Sequence, residues 1–210
     1  MGWARAARRL ARISTSSHTL TAMEDDVYPD DAYLDGSSRD AVSPDRPVTI
    51  FADDRRIESL SIYTDRLDEL VSVFHDASAD DGQLLDRRPA SDSWSVSEVL
   101  HHLADAEMHQ SLRLREMLAV DRPSWSDWDE ATYATVLGYE TRPAGDAVTL
   151  ILSVRNVNSR LLAILSPEQW NRTAIHPNRG EVDVAAWVQI CHDHLAGHVL
   201  QARRAIVGMI

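Results

Sequence analysis

Cys191-His192-Asp193-His194-Leu195-Ala196-Gly197-His198-Val199-Leu200-Gln201 is the stretch that decides how this chain folds. With the residues before it, it carries an inward stripe of Val184, Trp187, Cys191, His194, His198 and Gln201 at helical spacing. His194 and His198 are four residues apart, so on a helix they stack on one face. Two neutral imidazoles held that way can chelate one divalent metal, and a rigid helix removes much of the ordering cost. A third ligand must come from elsewhere in the fold.

The candidate lies in Trp94-Ser95-Val96-Ser97-Glu98-Val99-Leu100-His101-His102-Leu103-Ala104-Asp105. Adjacent helical residues point about 100° apart, so only one of His101 and His102 can face a given partner. His102 shares a face with Val99, Ala106 and His109 and is the inward one. His101 sits with Asp105, nearer the surface.

Working outward, the apolar periodicity predicts four helices. The first covers 56–77, with Ile57, Leu60, Tyr63, Leu67, Leu70, Val71 and Phe74 at helical spacing. The second starts at a capping box, Ser95 and Glu98, and runs to Ala119. The third spans 146–165 and the fourth 183–207. Between the second and third, residues 124–145 hold Trp125, Trp128 and Tyr133; a connection that long usually has a task, here lining a substrate mouth or covering the bundle end. Residues 175–182 read as an extended piece with a turn at Asn178–Gly180. There is no internal repeat, phosphate-binding glycine loop or alternating strand pattern. Residues 56–210 are therefore expected to form an all-α domain of four helices.

Residues 1–55 differ in kind. The first 22 carry Arg5, Arg8, Arg9 and Arg12 with no acid, a composition shared with transit peptides. Met23 and an abrupt acidic switch follow, which equally fits translation starting there. Residues 23–55, rich in Asp, Pro and Ser, cannot bury enough surface to offset their ordering entropy and read as a disordered extension, in which Val48–Phe51 could dock locally.

Composition narrows the function. A net charge of -12, with all 21 basic residues Arg, disfavours nucleic acid and anionic membranes as partners. No apolar run reaches spanning length. The lone Cys191 excludes an internal disulfide and suits a reducing, cytoplasmic setting; it reads as a small buried side chain rather than a nucleophile. No Gly-x-Ser-x-Gly nucleophile elbow is present.

Three imidazoles converging from facing helices, His102, His194 and His198, make the kind of site that bundles build for metals. A three-His set with an open position suits zinc, while nickel, iron and manganese fit the same donors. The competing reading is three core histidines, which would be costly to leave unpaired. Gln201, one turn beyond His198, could hold a ligand water or cap a backbone group. Asp105, Glu107 and Asp193 are either acceptors for imidazole N–H groups or ordinary exposed acids. His109 or Cys191 as a fourth ligand would indicate a closed structural site.

The Trp94–Asp105 stretch together with His194-x3-His198-x2-Gln201 resembles the DinB-like superfamily, and within it the YfiT-type metal-dependent hydrolases. These are related to bacillithiol transferases and to mycothiol-dependent maleylpyruvate isomerase. The likeness covers about residues 56–207, including Leu165-Ser166-Pro167-Glu168-Gln169-Trp170 and the His176-Pro177 to Gly180 stretch. It implies an up-down-down-up four-helix bundle, often a homodimer, with a divalent metal on His102, His194 and His198. It also implies a small-molecule substrate and an enzyme that is either a transferase using a low-molecular-weight thiol or a hydrolase. The Arg-only composition points to a GC-rich source, where that thiol would be mycothiol. The non-catalytic alternative is a metal-binding or structural bundle with a stress-related role.

Overall fold

The computed structural model of the protein describes residues 54–209; the acidic extension, the Arg-rich start and the expected docking piece at 48–51 lie outside them. The elements in order are α1 (Asp54–Thr64), α2 (Leu67–Ala77), a short α3 (Gln83–Asp86), α4 (Val96–Ala119), α5 (Glu130–Val136), α6 (Ala144–Ala163), a single turn α7 (Pro167–Trp170), β1 (Thr173–His176), β2 (Gly180–Asp183) and α8 (Val184–Val207).

The expected first helix, 56–77, is divided. Arg66 takes a left-handed conformation, φ 68°, between α1 and α2. Such a conformation is uncommon for a residue with a Cβ. Ion pairs from Arg66 to Asp65 and Glu69 span the break. No glycine or proline marks it, which is why periodicity alone reads straight through.

Side-chain contacts settle the topology. Along the divided first helix and α8, Tyr63 stacks on Trp187, Asp65 meets His192 and Glu69 meets Arg203, so both numberings rise together and the two run parallel. Glu107 with Arg155, then Ser111 with Asn158, make α4 and α6 parallel. His102 opposite His198 and Gln110 opposite Trp187 make α4 and α8 antiparallel. Tyr63 at Asn158 and Phe74 at Gly145 do the same for the first helix and α6. The result is the up-down-down-up four-helix bundle. Parallel α4 and α6 need a long return between them, and residues 120–143 supply it.

The core is in two apolar parts. One gathers Leu70, Val99, Leu103, Ile151, Leu195 and Val199; the other gathers Tyr63, Leu114, Met117, Trp187 and Cys191. Between them lies a polar layer. The Arg155 guanidinium, fully buried, binds Glu107 at 2.5 Å and the carbonyl oxygens of Tyr63 and Cys191. Asn158 donates to the Tyr63 hydroxyl. Burial thus leaves most of these polar groups with partners, as it must to be tolerated.

Local chemistry explains the element ends. The capping box at α4 is complete: Ser95 Oγ accepts from Glu98 N–H, and the Glu98 carboxylate accepts from Ser95 N–H. Such a cap stabilises a helix by about 1 kcal/mol and sets where it starts, hence where His102 falls. Before α8, β1 and β2 pair antiparallel around a turn in which Gly180 has φ +74°. The extended stretch expected there is this hairpin, an addition to the helical framework. Asp183 ends β2 and caps α8 by accepting from Ala186 N–H.

Candidate metal centre

α4 and α8 bring together the three histidines that their periodicity nominated. His102 Nε2 lies 3.1 Å from His194 Nε2 and 3.1 Å from His198 Nε2. Among the described residues, these three form the cluster of potential metal ligands. A cation bound tetrahedrally at about 2.0–2.1 Å from each nitrogen would space the nitrogens by about 3.3 Å, close to what is seen.

Protonation sharpens the test of fit. Burial pushes His102 down to about 3, with His198 adding to the effect. His194 is likewise pushed down to about 3, by burial first, then by His198, His102 and Arg155. Both imidazoles are therefore neutral at ordinary pH. His198 Nδ1 lies 2.7 Å from Gln201 Oε1; a carbonyl oxygen only accepts, so the proton of a neutral His198 is on Nδ1 and its Nε2 offers a lone pair. His102 Nε2 faces two nitrogens and can make a proper hydrogen bond with only one of them. A cation satisfies all three lone pairs together, and the donor set fits a divalent metal.

His102 is held by rings on two sides. Trp128 stacks on it at 5.5 Å between centroids and 10° between planes, and Trp94 packs at 5.0 Å and 50°. Its Nδ1 has no hydrogen-bond partner among the described residues, so aromatic packing orients this ring. A cavity of about 470 Å³ opens beside the cluster, lined by Trp94, Glu130, His198, Gln201 and Arg204 among others.

Several sequence expectations change here. Gln201 turns its Oε1 to the His198 ring rather than to a backbone group, and so fixes His198. His101 is fully buried rather than near the surface, its Nε2 3.0 Å from the Arg142 carbonyl. Asp105 and Glu107 are buried too, but neither reaches an imidazole of the cluster. Asp105 accepts from the Tyr139 hydroxyl at 2.6 Å, and Glu107 pairs with Arg155. Asp193 is exposed and meets Gln189 and His192. His109 stacks on Trp128 and packs at a tilt against Tyr133, outside the cluster. Cys191 is buried, and burial pushes its thiol well up, so it acts as an apolar filler.

The aromatic segment divides its work. Trp128 belongs to the site, whereas buried Trp125 seals the hairpin end, its backbone N–H donating to the Ile175 carbonyl. Sequence reasoning missed Glu130, whose Oε2 is 4.0 Å from His102 Nε2. Its only signal was proximity to Trp128, within a connection too irregular for periodicity to orient.

The chain is similar to known proteins in sequence, and its arrangement of helices recurs in a solved structure. A protein of Oceanobacillus iheyensis named "putative metal-dependent hydrolase OB0782" is 27% identical over 156 residues, covering 73% of this chain and 90% of its own length. "Putative metal-dependent hydrolase YfiT" of Bacillus subtilis is 25% identical over 156 residues, 72% of this chain and 84% of its own. The solved structure of YfiT, described as an unusual four-helix bundle, superposes with a TM-score of 0.60 at 19% identity, covering 83% of this chain and 94% of that one. The DinB superfamily model matches residues 62–202, a span that holds all three histidines. The chain belongs to the DinB superfamily.

Proposed function

We propose that this protein is a metal-dependent enzyme whose nucleophile comes from solution, with His102, His194 and His198 as the ligands of a divalent cation. The observation that carries this reading is the convergence of three Nε2 atoms, with Gln201 holding His198 in the ligating tautomer. A divalent cation supplies Lewis acidity there and lowers the pKa of a water or thiol that reaches it. Zinc suits the nitrogen donors best.

The chain's own groups limit the chemistry. Cys191, the single thiol, is buried away from the cluster, and no serine elbow is present. The nucleophile must then enter through the cavity beside His198, which has room for more than water. We favour a low-molecular-weight thiol: it gives its proton to solvent, and its sulfur bonds to the electrophilic carbon of a small molecule as the bond from that carbon to the leaving group breaks. Trp94 and Trp128 hold His102 in place and screen it from bulk water.

Attack by water is the second reading, supported by the hydrolase names of the relatives. A purely structural metal site is less well supported, since such sites close with four protein ligands and neither His109 nor Cys191 supplies the fourth. The deciding experiment loads the protein with zinc and follows a thiol panel against an alkylating electrophile and ester hydrolysis in parallel. Thiol-dependent turnover that disappears in His198→Ala is the expected result. Turnover in His198→Ala equal to wild type would sink the proposal.

A further inference from the structure

Glu130 stands beside the proposed metal site without any established reason to be there. It is the first residue of α5, after Asp129 caps that helix by accepting from Thr132 N–H. Two residues earlier, Trp128 lies flat on His102. The Glu130 carboxylate then reaches the same ring at its nitrogen, with Oε2 4.0 Å from His102 Nε2. The side chain is 48% exposed and lines the cavity that also reaches His198.

The surroundings give this carboxylate nothing else to do. Among the described residues it has no arginine within ion-pairing distance, although Arg204 lines the same cavity. It accepts no hydrogen bond from a described side chain. Glu130 is also outside the close set formed by the three ring nitrogens, so it is not placed as a fourth ligand. A carboxylate 4.0 Å from one of the three nitrogens, lining the cavity that reaches another, is within reach of a ligand that enters the cluster from that cavity.

Resting on the three-histidine metal reading, we propose that Glu130 is a specificity-determining residue: it selects for ligands that bring a proton on the coordinating atom, such as water, a thiol or an alcohol, and against small aprotic anions. With a cation on the three histidines, a protic ligand entering from the cavity would be able to donate a hydrogen bond to the Glu130 carboxylate. An anion lacking a proton meets the carboxylate as a like charge at short range, in a setting less screened than bulk water. The device suits an enzyme whose nucleophile arrives protonated and must exclude competing anions from the open position.

The test uses the full chain loaded with cobalt(II), whose visible spectrum reports the coordination sphere, and azide as the aprotic anion probe. Zinc content and cobalt affinity are measured for wild type, Glu130→Gln and Glu130→Asp, with circular dichroism to check folding. Glu130→Gln is expected to keep its metal and to bind azide at least about tenfold more tightly than wild type, because a neutral amide removes the repulsion. Glu130→Asp, which keeps the charge but draws it back, is expected to fall between them. Equal azide affinity in wild type and Glu130→Gln overturns the inference and leaves the three-histidine site standing. Loss of metal from Glu130→Gln also overturns it, since Glu130 would then be a ligand. Failure of wild type to take up cobalt or zinc removes the metal reading itself, and this inference with it.

Discussion

His198 Nδ1 lies 2.7 Å from Gln201 Oε1, one turn further along the same helix. This contact determines which ring nitrogen of His198 is left to face His102. A partner that fixes tautomer and ring orientation commonly contributes about 10–100-fold to metal affinity. Gln201→Ala is therefore expected to weaken zinc binding by about tenfold or more, while Gln201→Glu, which keeps an acceptor, stays near wild type. Competition titration against a chromogenic chelator reads this directly. Unaltered affinity in Gln201→Ala would mean that the ring is oriented by packing alone.

The same cluster predicts how the metal-free protein responds to acid. His102 and His194 are held to about 3, against an ordinary 6.5. Below about pH 6.5 the unfolded chain takes up these protons and the folded chain does not, so stability falls as pH drops from there toward 3. Above that window both states are neutral and the contribution is constant. Each group contributes a slope on the order of 1 kcal/mol per pH unit. Urea unfolding of chelator-treated protein between pH 7 and 4 should show a shallower slope for His102→Leu than for wild type. Parallel slopes would show that His102 is not held neutral by the fold.

Arg155 and Glu107 make the second testable relationship. Both are buried, and Arg155 stays charged because Glu107 faces it. Removing one partner strands the other, which costs about 3–5 kcal/mol, whereas replacing both with apolar residues is often nearly neutral. Glu107→Ala should lower unfolding stability by that amount, and Glu107→Leu with Arg155→Met should recover most of it. A double variant as unstable as the single one would show that the bonds from Arg155 to the Tyr63 and Cys191 carbonyls matter more than the ion pair.

How far the sequence leads depends on whether a feature is periodic. His102, His194 and His198 lie on regular helices, so face and depth follow from 3.6-residue spacing, and the structure brings them together as that spacing requires. The break at Arg66 was hidden because an arginine in a left-handed conformation leaves no compositional mark. The burial of His101, Asp105 and Glu107 was hidden for a different reason. α4 is covered on several sides, by α6, α8 and the Tyr139 segment, so its face away from the apolar stripe is not a solvent face. Trp128 and Glu130 sit in an irregular connection, where residue order carries no orientation.

Metal content reports whether His102, His194 and His198 hold a cation. Wild type and His194→Ala are purified without added metal, loaded with zinc, desalted and assayed by elemental analysis. About one zinc per chain is expected in wild type and almost none in a folded His194→Ala, since the two remaining nitrogens make a poor site. A folded wild-type protein that takes up no zinc, nickel, iron or manganese would contradict this and leave His102, His194 and His198 as core residues.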